Sequence, residues 1–112
     1  MIERYVILKF KPEEKENFLS IFEYNKNRIA SFEGCDFLEL RHSLRNPNWL
    51  MTYSIWKSEE HLEFYRKSDI FESVWNQVKP LFSDKAETLS IYPNLSGEKE
   101  KKREFFAKFD FQ

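Results

Sequence analysis

The stretch Ile2 to Phe10 reads IERYVILKF and is followed directly by Lys11-Pro12. It is rich in β-branched and aromatic residues, which is typical of a β-strand, and the proline marks its end. Apolar side chains fall on both of its faces, with Tyr5 and Ile7 on one and Val6, Leu8 and Phe10 on the other. A strand of this kind needs cover on both sides of its sheet.

Three further strands are predicted downstream. Asp36 to Leu44 alternates between apolar and polar residues, and Trp49 to Trp56 reads WLMTYSIW. Residues 45–48, RNPN, have turn chemistry, so the two segments are expected to form an antiparallel hairpin. Glu87 to Tyr92 predicts a last strand, which Pro93 ends.

Helical periodicity predicts one long helix and a broken pair. Pro12 begins the first helix, which continues to Gly34. Its apolar stripe consists of Phe18, Phe22, Ile29 and Phe32, and Asn25 lies on the same stripe. Ser58 caps the next helix, which is expected to break near Ser68-Asp69 because a new apolar stripe starts at Phe71. Pro80 should kink or close that last helix.

The order strand, helix, strand, strand, helix pair, strand is the split βαβ arrangement of a ferredoxin-like α+β domain. We expect residues 1–93 to form this domain, with an antiparallel sheet and helices on one face. The first and third strands are apolar on both faces, so a two-fold homodimer is expected to cover the second face. The alternative is a sheet with one partly apolar face in solvent.

Residues 94–112 form a separate segment, a charged linker followed by a Phe-rich tail. Residues 98–104, EKEKKRE, are a mixed-charge run typical of solvated chain, and four of the twelve Phe residues follow it. The tail is expected to dock onto its own domain or onto the partner subunit. Contact with a membrane surface is the alternative.

The composition excludes several classes of protein. The 18 basic and 19 acidic residues leave a net charge of −1, so no long-range field attracts nucleic acid or an anionic membrane. Cys35 is the only cysteine, which rules out an intramolecular disulfide and a cysteine-rich zinc cluster. No apolar run approaches the roughly 20 residues of a spanning helix. The first ten residues lack the pattern of a secretory signal, so a cytoplasmic location is expected.

Three motifs follow one another through the chain. The first helix ends in IASFEGC at residues 29–35, YSIWKSEE occupies residues 53–60, and YRKSDIF occupies residues 65–71. In this order they resemble the antibiotic-biosynthesis-monooxygenase family over residues 2–92. The resemblance implies a dimeric α+β barrel with one pocket per subunit between helices and sheet. Some members oxidise aromatic polyketide-like substrates with O₂ and no metal or flavin, while others degrade haem, isomerise small molecules or have no known role.

The resemblance therefore favours a cofactor-independent monooxygenase-like protein acting on a small aromatic or quinone-like compound. An electron-rich substrate anion supplies electrons to O₂ in such chemistry, so the protein must bind it, help remove a proton and exclude water. The alternative is a non-catalytic dimer that binds a small hydrophobic ligand, so whether the protein is an enzyme stays open. In a third reading the pocket is filled by the protein's own side chains.

Three residues are candidates for catalytic roles. Trp56 matches the family's strand-end tryptophan and is either a pocket wall with a hydrogen-bond donor or a core residue with a satisfied indole N–H. Tyr65 stands where many members have histidine; it could hydrogen-bond a substrate oxygen, although a phenol with a pKa of about 10 is a poor base. Asn25 carries an amide that needs either a ligand or a neighbouring backbone group as partner.

A second set of residues is expected to line the pocket and bind the substrate: Trp75, Phe22, Phe71, His42 and Ser54. In the haem-degrading relatives a histidine at the position of Trp75 binds iron, which tryptophan cannot do, so haem degradation is not expected. His42 lies on the apolar face of its strand and is either structural or a proton acceptor. It has no evident partner carboxylate or second ligand histidine, so no metal site is expected. The resemblance implies chemistry without a cofactor.

Overall fold

Residues 1–93 contain four strands and three helices; this is the part of the chain that the structure, a computed structural model, describes. The strands are β1 (Ile2–Lys9), β2 (Cys35–His42), β3 (Trp49–Trp56) and β4 (Glu87–Ile91). The helices are α1 (Lys15–Ala30), α2 (Glu59–Arg66) and α3 (Asp69–Val78), and short 3₁₀ turns lie at Pro12–Glu14 and Lys79–Leu81. The predicted ferredoxin-like α+β fold is confirmed. The predicted docking of the tail, residues 94–112, lies outside the described residues.

The strands form one antiparallel sheet in the order β2-β3-β1-β4. β1 pairs with β3 on one side, where Ile2 lies opposite Trp56, and with β4 on the other, where Glu3 lies opposite Ile91. β1 is therefore an interior strand, which accounts for apolar residues on both of its faces.

The β2–β3 hairpin forms as predicted, although β2 starts and ends earlier than expected. It runs from Cys35 to His42, with a register shift between Cys35 and Phe37. Leu44, predicted to continue the apolar face of this strand, lies beyond its end and is 81% exposed. The hydrogen bond from the Ser43 N–H to the Trp49 carbonyl, 3.1 Å long, closes the hairpin at that point.

A serine side chain caps the start of each helix of the predicted pair. The Ser58 hydroxyl accepts a hydrogen bond from the His61 N–H at the start of α2, and the Ser68 hydroxyl accepts one from the Phe71 N–H at the start of α3, each 3.2 Å long. An N-cap residue has extended backbone angles and cannot continue the preceding helix. Ser68 therefore causes the break predicted at this place.

The helices pack on one sheet face, here called the inner face, over two clusters of buried side chains. The first cluster contains Val6, Leu8, Phe10, Phe18, Leu50 and Val78. The second contains Ile2, Ile29, Trp56, Leu62 and Tyr65. Even-numbered residues of β1 and β3 appear in both clusters, as strand alternation requires.

The opposite face of the sheet, here called the outer face, carries the odd-numbered residues of β1 and β3. The rings of Tyr5 and Tyr53 contact each other there in a tilted arrangement with centroids 5.0 Å apart, and Phe37 meets Tyr53 edge-on at 5.8 Å. The Tyr53 hydroxyl donates a hydrogen bond to the buried Glu3 carboxylate. Burial, followed by the hydrogen bond and charge of Glu3, raises the pKa of Tyr53. Among residues 1–93 no helix packs on this face.

Gly34 joins α1 to β2 in a conformation that only glycine adopts easily. Its φ is +90°, and a Cβ built on it would lie 2.4 Å from the Cβ of His61. We predict that Gly34→Ala lowers the free energy of unfolding by at least about 2 kcal/mol, from left-handed strain and the steric clash together. Urea denaturation measures this, with Glu33→Ala on the exposed neighbouring residue as the control. Equal stability of the two variants would contradict the assignment.

Candidate functional site

A cavity of about 100 Å³ lies between the helices and the inner face of the sheet. Six of the eight residues that the sequence singled out line it: Phe22, Ser54, Trp56, Tyr65, Phe71 and Trp75. They come from α1, β3, α2 and α3, so the cavity exists only when all four elements pack together. Whether these residues catalyse a reaction remains a prediction.

The aromatic wall of the cavity is a continuous chain of ring contacts. Trp56 and Tyr65 stack with ring centroids 4.7 Å apart, and Tyr65 meets Phe71 edge-on at 5.3 Å. Phe71 in turn lies parallel to Trp75 at 6.1 Å. Offset-stacked and edge-to-face pairs are the favourable geometries for aromatic rings, so the wall is held by its own contacts and offers π-faces and edges to a ligand.

The indole of Trp56 has a partner within the protein. Its Nε1–H donates a 3.0 Å hydrogen bond to the Ser54 hydroxyl oxygen, and the side chain is 1% exposed. The sequence left open whether this N–H serves a ligand or is satisfied internally, and the geometry shows an internal partner. Ser54 keeps its own hydroxyl proton as a donor, so it is the group through which Trp56 influences a ligand.

The Tyr65 side chain is an uncharged hydrogen-bond donor in this site. Burial raises the pKa of Tyr65 to about 12, against an opposing effect of the nearby Arg4. At neutral pH its phenol is therefore protonated, so it can donate a hydrogen bond but cannot serve as a base.

Arg4 also lines the cavity, although it was not among the residues predicted to do so. It lies on β1 opposite Ser54 of β3, points to the inner face, and is 8% exposed. Its guanidinium carbon lies 5.9 Å from the ring centroid of Phe71. Burial, then the charge of Arg66, lowers the pKa of Arg4, but a guanidinium remains charged at neutral pH. The available signal was an arginine between Ile2 and Val6 on a face that is otherwise apolar.

The structure does not bring Asn25 or His42 to the cavity. The Asn25 side chain donates a 2.8 Å hydrogen bond to the Ile21 carbonyl and accepts one of 3.3 Å from Arg28, so its partners lie on its own helix. His42 has the inner-face orientation that the alternation predicted, opposite Leu50, but it is the last residue of β2 and is exposed. Its position at the strand end takes it outside the pocket for which it was proposed.

Residues 1–93 contain neither a cluster of potential metal ligands nor a membrane-spanning helix. No group of three or more His, Cys, Asp and Glu side chains in this range could hold a metal ion. Within the same range no helix has the length and apolar character needed to cross a bilayer.

The family model for antibiotic biosynthesis monooxygenases matches residues 1–75, more than half of the chain. The fold, with its cavity between helices and sheet, and this match define an α+β protein of the antibiotic biosynthesis monooxygenase family. This chain belongs to that family.

Solved structures with the same fold share little sequence with this chain. A conserved protein from Methanosarcina mazei Go1 has a TM-score of 0.77 at 22% identity, covering 80% of this chain and 89% of that one. An antibiotic biosynthesis monooxygenase has a TM-score of 0.77 at 12% identity, covering 82% and 97%. A Mycobacterium tuberculosis protein has a TM-score of 0.77 at 14% identity, covering 87% and 98%. No curated protein sequence matches the chain.

The raised pKa of Tyr65 predicts a loss of stability in alkali. Because the folded protein holds this phenol near pKa 12 and the unfolded chain near 10, folding favours the protonated form. The stabilisation is fully present below pH 10 and falls by about 1.4 kcal/mol per pH unit between pH 10 and 12. Urea denaturation from pH 8 to 12 should show a steeper decline for the native protein than for Tyr65→Phe. Parallel curves would show that Tyr65 titrates normally.

Proposed function

We propose that this chain is a cofactor-independent monooxygenase-like enzyme that acts on a small electron-rich aromatic compound bound in the cavity. The supporting observation is the cavity itself, an aromatic-walled space with few polar groups in a chain of this family. Ligand sites of this kind bury the apolar body of a ligand and fix its orientation through a small number of polar contacts. Here those contacts are offered by Ser54, Tyr65 and Arg4.

The proposed reaction draws its electrons from the substrate. A hydroquinone and O₂ give a hydroxyquinone and water. One oxygen atom forms a new C–O bond, the other leaves as water with two hydrogens of the substrate, and four electrons pass to O₂. The protein's part is to hold the ring, to stabilise its ionised form and to keep bulk water away. Trp56 and Trp75 supply the apolar walls, and the Ser54 and Tyr65 hydroxyls donate hydrogen bonds to substrate oxygen.

Oxygen uptake with hydroxylated aromatics, from hydroquinones to anthrones, tests this proposal. We predict uptake above the uncatalysed rate for the native protein, and a fall of roughly tenfold or more in Val74→Phe, because a benzyl group then occupies the cavity that Val74 lines. Trp56→Phe removes the N–H that orients Ser54 and should also slow uptake.

Asn76→Phe is the matched control, since it adds the same group on the exposed side of the same helix. Uptake by the native protein no faster than by Val74→Phe, with every ring compound, would contradict the proposed activity.

A binding protein without catalysis is the second candidate, and one observation favours it. Among the described residues that line the cavity there is no Asp, Glu, His or Lys, so no side chain there is an ordinary base at neutral pH. In this reading the cavity carries or senses a small hydrophobic ligand. Native mass spectrometry that finds a co-purified small molecule, left unchanged on exposure to O₂, would favour this candidate.

We also propose that two copies of the chain associate through the outer face of the sheet. The family is typically dimeric. On this face Phe37 is 41% exposed and Leu89 48% exposed, beside the buried Tyr5 ring and the partly buried Tyr53 ring. Apolar and aromatic side chains on a strand face that no described helix covers are typical of an oligomer interface.

Analytical ultracentrifugation tests the proposed dimer. We predict a two-subunit species at micromolar concentration for the native protein and a single subunit for Phe37→Asp, because the carboxylate would be buried unpaired between the sheets. Tyr24→Asp is the control, since Tyr24 is 79% exposed on α1, away from the sheet. A native protein that sediments as a folded single subunit would refute the proposed interface.

A further inference from the structure

We propose that the cavity selects a one-ring aromatic oxyanion, a benzoate or an ionised phenol, and that Arg4 is the residue that binds its negative charge. This inference deepens the proposed function and rests on the same cavity as the ligand site. It concerns recognition and not turnover, so binding measurements test it independently of oxygen chemistry.

The first argument is that the charge of Arg4 is not compensated. The side chain is 8% exposed, and among residues 1–93 no carboxylate forms an ion pair with it and no acceptor forms a hydrogen bond with it. The guanidinium carbon lies 5.9 Å from the ring centroid of Phe71, a cation–π contact that does not neutralise the charge. A buried cation without a counter-ion is costly, and proteins keep such groups at sites where a ligand supplies the charge.

The charged groups nearest to Arg4 do not supply a counter-charge for its guanidinium. Arg66 and Glu63 act on Arg4 from α2, but they pair with each other, with Nη1 of Arg66 2.8 Å from Oε1 of Glu63. Both of these side chains are about half exposed, at 51% and 49%, so their effect on the cavity is screened by solvent. Tyr65, the other titratable group beside Arg4, is neutral at neutral pH. The interior of the cavity therefore carries a net positive charge.

The chemistry of the guanidinium determines the class of ligand. Its planar fork of N–H donors matches two oxygens of a carboxylate, or one oxygen of an ionised phenol, with charge-assisted hydrogen bonds. The surrounding walls are mostly apolar, and the low local polarity strengthens these bonds. A neutral ligand of the same shape would leave the positive charge of Arg4 without a counter-ion.

The size of the cavity limits the ligand to about one ring. Its volume is about 100 Å³. An apolar cavity of about 150 Å³ takes a benzene molecule, whereas drug-sized ligands need about 300 Å³ or more. The cavity is smaller than one that takes benzene, so a single ring with a short acidic group is the upper limit and enters only if the lining side chains shift slightly. Fused three-ring compounds require the helices to move apart.

The test compares benzoate with benzamide, which has the same shape and no charge, by titration calorimetry on the full chain. We expect benzoate to bind about 10- to 100-fold more tightly. In Arg4→Gln this preference should disappear, and in Arg4→Lys it should persist in part, since the charge remains but the fork is lost. Arg66→Gln removes the same charge from the exposed position next to Arg4 and should change benzoate affinity by less than about threefold.

Thermal unfolding without ligand separates a binding role from a structural one. If the role of Arg4 is to bind a ligand, Arg4→Met should raise the unfolding midpoint of the ligand-free protein by about 5 °C, because an unpaired buried charge is removed. If Arg4 is held for structural reasons, the same change lowers the midpoint. This readout also shows whether the variants are folded.

Two further probes distinguish the source of the negative charge. Tighter binding of benzoate than of para-nitrophenolate points to a carboxylate ligand, and the reverse order points to an ionised phenol; para-nitroanisole is the neutral reference. Equal affinity for benzoate and benzamide, or no binding of any anion at millimolar concentration, would overturn the proposal. Anion binding that depends on Arg4, without oxygen uptake, would uphold this inference while refuting the proposed oxygenase activity.

Discussion

The structure depends on one constraint: β1 lies inside the sheet and needs cover on both faces. Adjacent residues of a strand point to opposite sides, so the neighbouring charges of Glu3 and Arg4 are divided between the outer face and the cavity. A shift of one residue in the pairing of β1 would exchange them and place Tyr5 where the helices pack. The register that buries the apolar residues is thus the register that positions the charges.

Much of the fold was predictable because its signals are local. Alternation identified the strands, and the new apolar stripe that starts at Phe71 indicated the break between α2 and α3, where the Ser68 hydroxyl accepts a hydrogen bond from the Phe71 N–H. The end of β2 was not predictable, since alternation continues through Leu44 while the hairpin closes earlier, at the Ser43–Trp49 hydrogen bond. Alternation fixes which side a residue faces, but not where pairing stops.

The candidate site was predictable in part. Two residues expected to line the cavity lie elsewhere and one lining residue was missed, and the causes differ. His42 faces the inner side as predicted but lies at a strand end, and Asn25 finds its partners on its own helix, so neither reaches the cavity. Arg4 was overlooked because a single charge in an apolar strand resembles an edge position. Its burial depends on α2 and α3 packing over β1, which no local pattern reveals.

The cavity holds a cation, and its described lining residues include no base. In any reaction there, the protein and the ligand therefore have different roles. The protein stabilises the ionised form of a ring compound, and each 1.4 kcal/mol of that stabilisation lowers the ligand's own pKa by about one unit. A ring that is already weakly acidic therefore loses its proton to solvent on binding, without a side chain to accept it. Electron density in the bound ring rises at the same time, which is the requirement for reaction with O₂. A carboxylate, by contrast, satisfies Arg4 without making the ring more reactive, so the nature of the acidic group determines whether the same cavity catalyses a reaction or only binds its ligand.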